Sequence, residues 1–145
     1  MKTFRFMIVT PDRILFDGQV QEIIARTTKG DVGILAGHVR YAAILKTGAL
    51  TVKMENGEIR KAAVAGGVLK VSDESTTVMS TAAEWAEEID PDWAERSRQD
   101  ALAKIEAAKD EPDRLERANL KLQRALNRLS VSGHGTGTLE THKKK

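Results

Sequence analysis

Side-chain polarity alternates along the first part of the chain and then changes period. Phe4, Phe6 and Ile8 alternate with Arg5 and Met7, a period of two that predicts a strand. Pro11-Asp12 closes that segment, and Val20 to Ala25 is a second β-rich run. Leu50, Val52 and Met54 alternate with Thr51 and Lys53; Asn56-Gly57 follows, and another run begins at Ile59. An Asn-Gly pair between two such runs predicts a hairpin. Gly66-Gly67 interrupts the next run, which predicts a bulge or a close backbone approach. Val68 to Val71 and Thr76 to Met79 flank Ser72-Asp73-Glu74-Ser75, a second predicted hairpin. Short strands with turns every ~8 to 12 residues predict a sandwich or barrel over residues 1–84.

From Thr81 onward alanine and charged residues dominate, and glycine is absent until Gly133. Asp90-Pro91 predicts a helix start, with Asp capping orphan amides and Pro at the first helical position. The helix is expected from Pro91 to Lys109, with Trp93, Ala94, Ala101, Ile105 and Ala108 as its small or apolar positions. Asp110-Glu111-Pro112 breaks it and starts a second helix. That helix carries Leu115, Ala118, Leu122, Ala125, Leu126 and Leu129 on one stripe. Beside the stripe, Arg114, Arg117, Lys121, Arg124 and Arg128 step by three or four along one flank. Asp92–Arg96, Asp100–Lys104 and Asp113–Arg117 are acid-to-base pairs one turn apart. Residues 85–131 therefore predict an antiparallel two-helix hairpin. Residues 132–145 are too polar to offset their ordering entropy and are expected to be a disordered tail.

A two-helix hairpin can close on itself, lie against the sandwich or open onto a partner. Alanine-rich seams bury modest area, so at ~25 cal/mol per Å2 the closed form gains little. That predicts an element with two states; the alternative is a fixed helical appendage. A basic flank needs an acidic partner or water, and a solvated face is the plain alternative.

The totals remove other function classes. The 145 residues are 30% charged with a net charge of +2, a balance that argues against a nucleic-acid binder. No stretch approaches about 18 consecutive apolar residues, so no membrane insertion is expected. No apolar run near Met1 is long enough for a secretory signal, which predicts a cytoplasmic protein. The absence of cysteine excludes thiol catalysis and the common structural zinc sites. Of the three histidines, His38, His134 and His142, two fall in the expected tail. Gly30, Gly33 and Gly37 match no phosphate cradle, and no catalytic or metal-binding motif occurs. Glu84, Glu87, Glu88, Asp90 and Asp92 cluster near the domain junction, as a solvated acidic helix start would. The residues alone lead to a β domain plus a helical hairpin that binds something. A small-ligand-binding sandwich with a helical lid stays open, as does a hydrolase with an unusual carboxylate site.

Four stretches carry a family resemblance. They are Val9-Thr10-Pro11-Asp12, Gly30-Asp31-Val32-Gly33-Ile34-Leu35-Ala36-Gly37-His38, Ala65-Gly66-Gly67-Val68-Leu69-Lys70-Val71 and Arg124-Ala125-Leu126-Asn127-Arg128-Leu129-Ser130-Val131. In order and spacing they resemble the epsilon subunits of rotary (F-type) ATP synthases. The resemblance implies a ten-stranded β-sandwich followed by a helical hairpin, with no catalysis and no cofactor of its own. It implies a rotor subunit on the cytoplasmic face of the bacterial plasma membrane. The gamma subunit and the c-ring would be its partners, with alpha and beta subunits joining when the hairpin extends and inhibits ATP hydrolysis. In that frame Gly30–His38 is an interface loop, with Asp31 a c-ring contact and His38 a stalk contact. The regulatory helix is Arg114, Arg117, Lys121, Arg124 and Arg128 with Leu115, Leu122, Leu126 and Leu129. Glu84, Asp90, Arg124 and Arg128 match positions that hold ATP in some relatives. Trp93 and Asp100 stand where those relatives have arginine, which implies weak or absent ATP binding. Ala36 and Arg40 replace two prolines usual in the interface loop.

Overall fold

The computed structural model describes residues 2–133, and these fall into two units divided between Trp85 and Ala86. Of the predicted tail, Ser132 closes the last helix and Gly133 caps it. The remainder, with His134, His142 and Lys143 to Lys145, lies outside the described residues.

The first unit contains β1 (Phe4–Val9), β2 (Ile14–Thr27), β3 (Gly30–Leu35), β4 (Tyr41–Met54), β5 (Ile59–Val71), β6 (Thr76–Met79) and β7 (Ala83–Trp85). The order β1-β6-β5-β4-β2-β3 carries β7 on β5, and β1 also pairs with β2. That extra pairing closes five strands into a ring, with β1–β6 parallel and its other ladders antiparallel. Closure satisfies strand edges that would otherwise be left open.

The described residues contain seven strands, where the resemblance implied ten. The reason lies in three long strands. In β2 the inward positions are Val20 and then Ile23, Ala25 and Thr27. In β4 they pass from Leu45 to Leu50 and Val52, and in β5 from Ala62 and Val64 to Leu69 and Val71. Side chains alternate faces along a strand, so each change of parity marks a strand twisting from one wall of the unit to the other without ending.

In β5 the change occurs at Gly66 and Gly67, with φ of +76° and +123°. A Cβ on Gly67 would lie 2.0 Å from the carbonyl oxygen of Met79, so the predicted close approach is between two backbones. The Asn56-Gly57 hairpin joins β4 to β5. Only Gly57 takes positive φ there, and Asn56 accepts through its side chain from the Glu58 amide at 2.9 Å. Ser72 caps the β5–β6 turn, its hydroxyl donating to the Ser75 carbonyl at 3.0 Å. Phe6, Ile8, Val20, Ile23, Ile34, Leu50, Val52, Leu69 and Val78 are wholly buried in the interior. Trp85 meets Phe16 edge-on at 6.0 Å and lies under the Arg60 guanidinium at 3.8 Å.

The second unit begins with a 3-10 turn at Ala86–Glu88, followed by α1 (Pro91–Ala107) and α2 (Pro112–Ser132). Asp90 caps α1 as its sequence predicts, accepting from the amides of Asp92 at 3.0 Å and Trp93 at 3.3 Å. Glu111 makes no such side-chain cap on α2. Ala94 and Ala101 are buried on α1, and Ala118, Ala125, Leu129 and Val131 on α2. Leu126 departs from the predicted stripe, being 47% exposed. It follows Ala125, and one residue turns a helix by about 100°, which carries it off the seam. Leu115 and Leu122 are half-buried. Of the three predicted acid–base pairs, Asp100–Lys104 forms, at 3.1 Å. Asp92–Arg96 and Asp113–Arg117 do not close among the described residues; Arg98–Glu95 and Arg114–Glu111 form instead.

Candidate functional site

Strand register assembles a surface on the first unit that no single segment of sequence displays. Ile44 pairs with Val68, Val68 with Met79, Met79 with Val9, and Val9 with Ile14. Register partners share a face, so the five side chains form one row across β4, β5, β6, β1 and β2. Ile44 is 64% exposed, Ile14 59%, Met79 43% and Val68 40%. The neighbouring row, Ile8, Val78 and Leu69, points inward and is wholly buried. A contiguous apolar row on an outer face marks an interaction surface.

The segment Gly30–His38, expected to be a loop, is mostly strand. β3 takes Gly30–Leu35 and pairs with β2, and only the residues after it turn. Ile34 is buried and Val32 half-buried, while Asp31, Gly33 and Leu35 face out. Gly33 at an outward position, between half-buried Val32 and buried Ile34, hides that period of two in the sequence. Asp31 is exposed and pairs with its register partner Arg26 at 3.3 Å. His38 is half-buried; its Nδ1 donates to the Val39 carbonyl at 2.7 Å, and its ring meets Tyr41 edge-on at 5.7 Å. Arg40 forms an exposed ion pair with Asp73, across from the β5–β6 turn, and its hydrogen bond holds the Asp73 carboxyl below its ordinary range. The structure thus keeps Asp31 and His38 on one hairpin and its following turn, without direct contact between them in the bonds they form.

On the hairpin, part of the basic flank faces α1. Lys121 donates to Asp100, which also binds Lys104. Those hydrogen bonds, Lys121 first, hold the Asp100 carboxyl below its ordinary range, and Asp100 in turn raises Lys121. The Arg128 guanidinium lies 5.0 Å from the Trp93 ring centre, within cation–π range. The two helices are therefore joined by an ionic bond and by a stacked cation, at Asp100 and Trp93. Arg114, Arg117 and Arg124 are exposed. Of the four residues matched to ATP positions, Asp90 is occupied as the α1 cap and Arg128 by Trp93. Arg124 faces solvent, and Glu84 lies in β7 opposite Ala63, in the first unit. No group of three or more His, Asp or Glu able to hold a metal ion occurs among the described residues.

Comparison with known proteins follows the same two-unit division. Residues 3–86 match the family described as ATP synthase, Delta/Epsilon chain, beta-sandwich domain. Residues 87–133 match ATP synthase, Delta/Epsilon chain, long alpha-helix domain. The chain belongs to the ATP synthase delta/epsilon family. The ATP synthase epsilon chain of Ruminococcus albus is 41% identical over 135 residues, covering 91% of this chain and 98% of that one. The epsilon chain of Bacillus velezensis is 41% identical over 134 residues, covering 92% and 100%. Among solved structures, a chain of the Euglena gracilis mitochondrial ATP synthase has the same fold, with a TM-score of 0.69 and 24% identity over 94% of this chain and 81% of that one. A chain of the Tetrahymena thermophila mitochondrial ATP synthase central stalk and c-ring matches with a TM-score of 0.53 and 17% identity, covering 83% and 97%. No described helix of this delta/epsilon family member is long and apolar enough to cross a membrane. The apolar row was missed by sequence reasoning because its five members come from five strands. The Trp93–Arg128 contact was missed because it joins two helices whose rotation the sequence leaves open.

Proposed function

We propose that this chain is a non-catalytic central-stalk subunit of a proton-translocating ATP synthase, lying on the cytoplasmic face of a bacterial plasma membrane as a peripheral protein. Family membership over both units supports the reading. The observation that carries docking is the outer row Ile14, Val9, Met79, Val68 and Ile44, exposed at all but half-buried Val9, a face that water alone would leave costly. The row is read as the seat for the gamma subunit. The Asp31 edge contacts the c-ring, and His38 lies at the margin toward the stalk. The helical unit is read as the regulator of ATP hydrolysis, meeting alpha and beta subunits through its basic flank when extended. ATP binding by the hairpin is read as weak, since Trp93 and Asp100 already take up Arg128 and Lys121.

The test is co-purification of the assembled enzyme carrying Ile44→Asp with Val68→Asp. Both side chains are exposed, so the β unit is expected to fold, checked by its circular dichroism. Burying two unpaired carboxylates at an interface costs several kcal/mol, roughly. Recovery of this subunit with the complex is expected to fall by about tenfold or more. Recovery equal to that of the unaltered chain would place the docking face elsewhere.

A further inference from the structure

We propose that the turn end of the helical hairpin is a binding site for a small oligophosphate anion of about the size of pyrophosphate. A cavity of about 380 Å3 lies between the end of α1 and the first turns of α2. Every charged side chain lining it is cationic: Lys104 from α1, and Arg114, Arg117 and Lys121 from α2. The rest of its wall is alanine, whose side chains neither fill the space nor add a competing acceptor.

The cations differ in how far they are already engaged. Lys104 and Lys121 share Asp100, and Arg114 binds Glu111. The Arg117 side chain has no ion pair or hydrogen bond among the described residues, although Asp113 lies one turn before it. A guanidinium offers a planar fork of donors, suited to two oxygens of one phosphate. Arg114 and Arg117 stand one turn apart on the same helix, so their forks reach the same concavity. The first turn of α2 brings a positive dipole end, left uncapped by the Glu111 side chain, and the last turn of α1 brings a negative one, so the side-chain cations decide the charge of the cavity. Asp100 and Glu111 oppose an anion but do not line the cavity. A ligand must outcompete them for shared cations, which selects several charges on a compact body over a single carboxylate. The cavity is short and bounded by two helices, so it suits a small oligoanion better than an extended acidic peptide.

Because both helices supply the wall, occupancy stabilises the closed hairpin by mass action. The site stands apart from the Arg124 and Arg128 end and does not depend on the rotor assignment. Titration calorimetry on the full chain, at about 0.1 M monovalent salt to hold screening fixed, reads it directly. Pyrophosphate is expected to bind with a dissociation constant below about 1 mM. Arg117→Ala is expected to weaken it about tenfold, and Arg117→Lys less, since charge survives without the fork. Lys109→Gln, a nearby charge loss outside the cavity, is expected to leave it unchanged. Arg117 is exposed, so these variants keep the fold, and helicity measured in parallel checks that. ATP is expected to bind no tighter than pyrophosphate, because only phosphates are recognised. The proposal fails if pyrophosphate does not bind, if Arg117→Ala and Lys109→Gln weaken it alike, or if ATP binds tightly where pyrophosphate does not.

Discussion

Gly67→Ala is expected to cost the β unit about 4 kcal/mol of stability, the sum of a forbidden backbone conformation and a steric overlap. At φ +123° a side chain is strained whatever space surrounds it. Here there is none, since the new Cβ would sit 2.0 Å from the Met79 carbonyl oxygen, which is backbone and cannot swing aside. Relief requires β5 and β6 to separate where Val68 pairs with Met79. That displacement also disturbs the apolar row. Gly57→Ala supplies the comparison, because Gly57 has φ +91° and nothing within 4 Å of its added Cβ. It is expected to cost only about 1 kcal/mol. Denaturant unfolding followed through Trp85 in a Trp93→Phe background reads the β unit alone. Equal losses for the two variants would mean that β5 and β6 part without cost, against the packing described.

Removing residues 92–145 is expected to raise ATP hydrolysis by the assembled enzyme roughly 5-fold or more, the usual lower range for coupling between sites. All seven strands lie before the cut, so the truncated chain keeps its docking row and stays with the complex. The effect should shrink as ionic strength rises, because Arg114, Arg117 and Arg124 are exposed and act through screened charge. Replacing those three by alanine should release part of the same activity. A truncated enzyme that hydrolyses ATP no faster than the intact one, across a range of salt, would remove the hairpin from regulation.

The sequence made the local elements plain and left their assembly obscure. Asp90-Pro91 and Pro112 set both helix starts, and Asn56-Gly57 and Ser72–Ser75 set two hairpins, because each is decided by backbone chemistry within a few residues. Strand number was not legible. Val64 and Leu69 look like members of separate runs on either side of Gly66-Gly67, and only the register joins them into one strand. The Gly30–His38 segment was legible through family motifs, yet Gly33 hid its β3 strand. The apolar row could not be foreseen, since Ile14 and Ile44, its two ends, join a single band only through the ladders of β5, β6 and β1. On α2 the flank of arginines was visible from spacing. Which of them α1 would claim depended on where Trp93 and Asp100 fell on the opposing helix.

The chain has two tryptophans, and the division at Trp85 and Ala86 assigns one to each unit. Trp85 is 5% exposed, among Phe16 and Arg60; Trp93 is 46% exposed, beneath Arg128. The molecule thus carries two built-in optical labels with different surroundings. Emission from Trp85 follows the integrity of the β unit. Loss of the Arg128 contact is expected to change emission from Trp93, so a chain with Trp85→Phe would be a label-free fluorescent gauge of whether the two helices are together or apart.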